Sequence, residues 1–215
     1  MRLVPGRSLV ALGVGLLAMV LAVGGGATAA EAAQPLVAQP QIGISFTPTP
    51  NNQGQCGGPQ SQWATAGSFS APIWIDTDNR PGGCNLAFGV YDPAGLTGDL
   101  GISYTWVATP GAIQDQCGNQ GSYDAPVTSF KAFGPQILDD TDNRAGFCDL
   151  TFQVTGTSGY VLDIQFYPDG DSGQCQFGFP QGQWRTATPD LPVTIGLDTD
   201  NRPGGCNLAL RLRKG

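Results

Sequence analysis

The stretch Asp76-Thr-Asp-Asn-Arg-Pro-Gly-Gly-Cys84, DTDNRPGGC, recurs letter for letter at Asp198–Cys206 and as DTDNRAGFC at Asp140–Cys148. A nine-residue string does not repeat by chance, so the chain reads as three copies of one unit. Directly after each string, apolar residues alternate with others: Cys84, Leu86, Phe88, Val90; Cys148, Leu150, Phe152, Val154; Cys206, Leu208, Leu210, Leu212. A period of two is that of a half-buried strand, with the cysteine on its core face. Upstream, Ile73/Ile75 and Val193/Ile195/Leu197 alternate likewise. Two strands flanking a polar, glycine-containing segment predict a β-hairpin with the repeated string at its tip.

The remaining unit signals agree. Each unit opens on a short alternating segment (Ile44-Ser-Phe46, Ile102-Ser-Tyr104, Ile164-Gln-Phe166) and continues through a Gln-Cys loop at Gln55, Gln116 and Gln174. The first cysteines lie 61 and 58 residues apart. Gly (32) and Pro (17) call for many turns, and no window carries a helical stripe. The fold class expected is therefore all-β with a pseudo-threefold internal repeat. Closure as a β-trefoil is the first choice because it removes sheet edges, a β-prism or sandwich the next, and three small β modules the simplest alternative. A lone unit of this size has a thin core.

Met1–Ala33 reads as a signal peptide: Arg2 and Arg7 precede an apolar run, Leu9–Val23, and small residues follow at Ala27-Thr28-Ala29. Residues 34–41 are a Pro/Gln/Ala-rich lead-in expected to be disordered, and 42–215 form the three-repeat domain, with units of about 42–98, 99–159 and 160–215. No second apolar run is long enough to span a bilayer, which leaves a secreted, extracellular product. In that setting six cysteines, Cys56, Cys84, Cys117, Cys148, Cys175 and Cys206, imply disulfides. Pairing within each unit, at separations of 28, 31 and 31, is the simplest arrangement. A zinc site fails for want of any C-x-x-C or histidine.

The absences limit function further. There is no His, and the one Glu is Glu31. Ser-His-Asp and Cys-His catalysis are excluded, and an enzyme is not expected. The net charge of -7 disfavours nucleic acid. Paired carboxylates for glycoside hydrolysis fit poorly, since Arg80 beside Asp76 and Asp78 lowers rather than raises a carboxylate pKa.

In the repeated string, Arg80-Pro-Gly-Gly83 suits a type II turn, and the Asp and Asn side chains can cap turn amides. Self-capping alone accounts for every residue in it. Two binding readings stand beside it. Asp, Asn and Arg together offer donors and acceptors to sugar hydroxyls. This makes Asp76, Asp78, Asn79 and Arg80, with Asp140, Asp142, Asn143, Arg144, Asp198, Asp200, Asn201 and Arg202, the candidate ligand contacts. Trp74, out of phase with Ile73 and Ile75, is expected to face outward as a stacking plane; its counterparts are Leu138 and Gly196. Core packing accounts for Trp63 and Trp184. The second reading is a Ca²⁺ site, best supplied by Asp139, Asp140 and Asp142 with Asp149 nearby, although the string lacks the Gly and Glu of an EF-hand loop. The pair Gln62-Trp63 is similar to the Gln-x-Trp signature of sugar-binding trefoils, but the spacing is Gln-Trp or Gln-x-Gln-Trp, and no family is assigned. The expectation is a secreted multivalent carbohydrate binder. Its rivals are a protein-binding effector or inhibitor and a Ca-binding structural protein.

Overall fold

The computed structural model describes residues 38–48, 56–76, 83–95, 97–109, 117–118, 120–138, 147–170, 175–176, 183–198 and 204–215. They fall in one compact unit, Leu36–Gly215. The segment expected to be a signal peptide, 1–33, and most of the expected lead-in lie outside the described residues. Gln41, expected in the lead-in, is the first strand residue and pairs with Thr65 and Tyr91, and the Pro40 carbonyl before it accepts from Ala66 N–H.

Among the described residues the extended elements are all strands, joined by turns and irregular segments, with no α-helix. The first unit supplies β1 (Gln41–Pro48), β2 (Cys56–Gly57), β3 (Ser61–Thr65), β4 (Ile73–Asp76) and β5 (Cys84–Tyr91). The second supplies β6 (Gly101–Ala108), β7 (Gly121–Thr128) and β8 (Phe147–Thr155). The third supplies β9 (Tyr160–Gly170), β10 (Cys175–Gln176), β11 (Trp184–Ala187), β12 (Val193–Asp198) and β13 (Gly204–Lys214). They form an eight-stranded sheet, β10-β12-β8-β6-β7-β5-β1-β3, and a five-stranded sheet, β11-β9-β13-β4-β2. The β5·β7 junction is a parallel pairing of only two residue pairs, so the larger sheet is two antiparallel blocks joined at an edge.

The alternating positions are buried as the pattern requires. Cys84, Leu86, Phe88 and Val90 line the core, as do Cys148, Leu150, Phe152 and Val154, and Cys206, Leu208, Leu210 and Leu212. Ile73, Ile75, Ile195 and Leu197 join them, and Phe88 packs edge-on against both Phe152 and Tyr104 at centroid distances of 5.0 and 5.2 Å.

The hairpin expectation is overturned. β4 pairs with β13 and β2, while β5 pairs with β1; β12 pairs with β8, while β13 pairs with β9. The strands flanking the first and third strings thus belong to different sheets, while the segment before the second, Ile137, bridges Leu86 in the same eight-stranded sheet as β8; in no unit does one flanking strand fold onto the other. Local alternation specifies burial, but it is indifferent to which neighbour satisfies the backbone. In every unit the fourth segment reaches into another: β4 to β13, β12 to β8, and Ile137, by a bridge, to Leu86 of β5. The units are not independent modules, because within its own unit β4 meets only the two residues of β2 and β12 only the two of β10, while their longer pairings lie in other units. Trefoil pairing is not confirmed.

The disulfides are Cys56–Cys84, Cys117–Cys148 and Cys175–Cys206, one within each unit as expected. The first and third tie the two sheets together, since β2 and β13 lie in one sheet and β5 and β10 in the other. At the far end of the strands the inter-unit links are held by carboxylates. Asp92, almost fully buried, accepts from the Thr97 amide (2.8 Å) and hydroxyl (2.6 Å), and Asp99 accepts from the amide and hydroxyl of Thr157. Those hydrogen bonds hold the Asp99 carboxyl below its ordinary pKa.

Replacing Cys56 and Cys84 together by alanine removes a sheet-to-sheet tie closing a loop of 28 residues. The expected loss is about 3 kcal/mol, a fall in Tm of roughly 6–12 °C for a domain of this size, read by thermal unfolding.

Candidate functional site

Strand register brings the bases of the repeated loops together. Asp76, where the first string begins, sits opposite Gly205, where the third ends; Asp198, where the third begins, sits opposite Phe147, which closes the second. The loops therefore leave one end of the strands, the inter-unit links the other. Of the candidate contacts, Asp78, Asn79, Arg80, Asp140, Asp142, Asn143, Arg144, Asp200, Asn201 and Arg202 lie outside the described residues, as does Asp139 of the metal reading. For Asp76 and Asp198 the backbone alone is described. Among the described residues no cluster of three His, Cys, Asp or Glu side chains is set to hold a metal ion. Asp149, counted with the metal set, pairs through its backbone with Gly196 and Val107, and burial raises its pKa.

Trp74 faces outward and is half-buried, as its phase required. Its indole lies flat across the sheet. A Cβ at Gly205 would come within 2.5 Å of its Nε1, and one at Gly57 within 3.3 Å of its ring. Only glycine leaves room for a ring this close to the strands. The unit counterparts compensate in size. Gly118 stands against Leu138, where an added Cβ would lie 2.9 Å from the leucine Cβ, whereas Gly196 has Gln176 opposite.

Trp63 and Trp184 are not core residues, contrary to expectation. Both are half-buried on outward faces, where they cover glycines or charged groups. Nor are they equivalent: Trp63 is opposite Gly43, while Trp184 is opposite Gln165, two residues away from the matching place, which Thr186 fills opposite Asp163. Trp63 rests on Gly43 and is capped by Phe133 at 4.9 Å, with Lys131 over its ring at 5.8 Å. Trp184 stacks on Phe69 at 4.7 Å, and the Arg211 guanidinium lies 4.3 Å from the Phe69 centroid. Gln62, the other half of the Gln-Trp pair, clamps the Ala71 backbone by two hydrogen bonds of 2.9 and 2.7 Å. Its role is to fasten the connection from β3 to β4.

Sequence reasoning missed the charged group beneath this face. Asp163 is 1 % exposed and takes Arg211 at 2.6 Å, Arg213 at 2.7 Å and the Thr186 hydroxyl at 2.7 Å. Burial pushes its carboxyl up, but the hydrogen bonds from Arg213, Thr186 and Arg211 outweigh that and hold it below its ordinary value. A lone Asp in an apolar-looking strand, Val161-Leu-Asp-Ile164, was the only trace of it.

No family model matches the chain, and neither the curated proteins nor the solved structures contain a match to it.

The depressed Asp163 pKa stabilises the fold at neutral pH, and that contribution drains away as pH falls through the folded-state value. Asp163→Asn leaves two guanidinium groups without their carboxylate. The expected loss at pH 7 is about 2 kcal/mol, discounted because both arginines reach solvent. In acid titrations followed by thermal unfolding, the gap between variant and wild type closes below about pH 4; a gap constant with pH would refute the linkage.

Proposed function

We propose that this chain is a secreted, multivalent binding protein that recognises extracellular or cell-surface carbohydrate, with the three Asp-x-Asp-Asn-Arg loops at one end of a closed ring of three strand groups. The observation that carries this reading is the register of Asp76 with Gly205 and of Asp198 with Phe147, by which the first and third loops each begin beside the end of another. Such neighbouring copies suit avidity, in which weak contacts act together. The exchange of fourth segments between units suits a prism-like or sandwich arrangement over the trefoil. Three disulfides, and no helix long and apolar enough to cross a membrane among the described residues, agree with an exported protein.

Asp and Asn carboxylates and amides accept and donate to sugar hydroxyls, while Arg adds a planar fork; together they bind without a deep pocket. Ca²⁺ held by Asp139, Asp140 and Asp142 would act as a structural support to the second loop, not as a reactive centre. The expected chemistry is recognition, not catalysis.

A triple variant, Asp78→Asn, Asp142→Asn and Asp200→Asn, tested on a glycan array, is expected to lose at least tenfold of a selective wild-type signal while keeping its Tm. A wild-type array blank across all glycans would turn the reading to a protein partner. Unchanged Tm and array signal in EDTA would remove the Ca²⁺ component.

A further inference from the structure

The five-stranded sheet turns one face to the core and the other outward, and that outward face carries a ladder of aromatic and amide side chains. Tyr167, Asn207, Trp74 and Gly57 stand in one cross-strand row, from β9 through β13 and β4 to β2. One step along the strands, Trp184, Gln165 and Ala209 form the next row. A further step on, Thr186, Asp163 and Arg211 form the third, with half-exposed Phe69 stacked on Trp184. Strand spacing puts Tyr167 and Trp74 about 10 Å apart, and successive rows about 7 Å apart.

The seating of Trp74 sets this face apart. Its ring lies flat because Gly57 and Gly205 beneath it have no side chains, so its opposite face is turned outward. Trp63, seated in the same manner on Gly43, is covered by Phe133 and Lys131. The outward face around β6 and β8 carries a hydroxyl row instead: Ser122, Thr105, Thr151 and Thr194, the last two joined at 2.7 Å. Among the described residues, a flat, uncapped indole occurs on the five-stranded sheet alone.

We propose that this face binds a polysaccharide chain, with Trp74 as the principal stacking plane, Tyr167 as a second, and Asn207 and Gln165 as hydrogen-bonding partners between them. The proposal rests on the carbohydrate reading above and moves the main contact from the loop tips to the sheet. Planar rings separated by amides suit a ligand whose own faces alternate between C–H surface and hydroxyls. A small ligand would meet one ring, whereas a chain meets several. A protein partner is the poorer fit, since the apolar surface is interrupted at each row rather than contiguous. The net charge of -7 selects a neutral or cationic polymer over a polyanion.

The test is retention of the full-length exported protein on insoluble cellulose, chitin, xylan, β-1,3-glucan and starch. Trp74→Ala, Trp74→Phe, Tyr167→Ala and the triple loop variant are compared with wild type, and thermal melts certify folding. Wild type is expected to bind at least one polymer. Trp74→Ala should cut retention at least tenfold, Trp74→Phe should restore part of it, and Tyr167→Ala should cut it several-fold. If Trp74→Ala fails to fold, Trp74→Phe and Tyr167→Ala decide. Folded Trp74 and Tyr167 variants that bind like wild type would overturn the sheet-face site; loss of binding in the loop variant alone would then assign recognition to the loops. Retention by the loop variant with loss in the Trp74 variants supports the face and refutes the tips. Wild type bound by none of the five polymers overturns the sheet-face site, and the glycan array then decides the loop reading separately.

Discussion

The fourth segment of each unit pairs with a strand of another unit, and for β4 and β12 that pairing is the longer of the two they make. Ile73–Asp76 lies along β13, Val193–Asp198 along β8, and Ile137 against Leu86 of β5. A strand edge left unpaired in a buried setting costs several hydrogen bonds, so each unit depends on another to complete its pairing, and the three make one compact body. The disulfides reinforce the exchange. Each stays within its unit in sequence, yet Cys56–Cys84 and Cys175–Cys206 each bridge the two sheets, because the exchange has already placed one cysteine in either.

The same exchange organises the surface. It sets the start of one repeated loop beside the end of another and collects the loops at one pole, while Asp92, Asp99 and Thr157 fasten the links at the opposite pole. It also breaks the symmetry that the sequence suggests. Where Trp74 crosses the sheet, the neighbouring positions are Gly57 and Gly205; where the third unit has Gly196 instead, its register partner is Gln176, and Phe147 stands where Gly205 would. Large and small residues trade places between the units at these register positions.

Burial was legible wherever alternation was strict. Every residue of the Cys206, Leu208, Leu210, Leu212 series is in the core, and the outward phase of Trp74 against Ile73 and Ile75 is met. The errors share one cause. A period of two says which face a residue takes, not which strand lies beside it, so the hairpin was drawn where the chain changes sheets. The Gln-Trp dipeptides misled similarly: Trp63 faces Gly43, Trp184 faces Gln165, and the two rings occupy different register positions. In the second unit the place of Phe46 and Phe166 belongs to Trp106 and not Tyr104, since Pro48, Ala108 and Pro168 are the residues opposite the second cysteines. The Asp163 cluster was invisible because Arg211 and Arg213 lie about 50 residues away and read as ordinary solvent-facing positions of an alternating strand.

The chain's own letters determined that one string recurs three times, which residues of the strictly alternating strands go inward, and that no histidine is present, and they made cysteine pairing within each repeat the simplest arrangement. Those follow from local periodicity and composition, which need no knowledge of the far end of the chain. Tertiary structure alone decided which strands pair, that two disulfides tie separate sheets, and that Trp74 lies flat on glycines from two different strands. Those are long-range matters: backbone hydrogen bonding is the same for every strand, and packing against distant segments selects among the pairings that the local pattern allows.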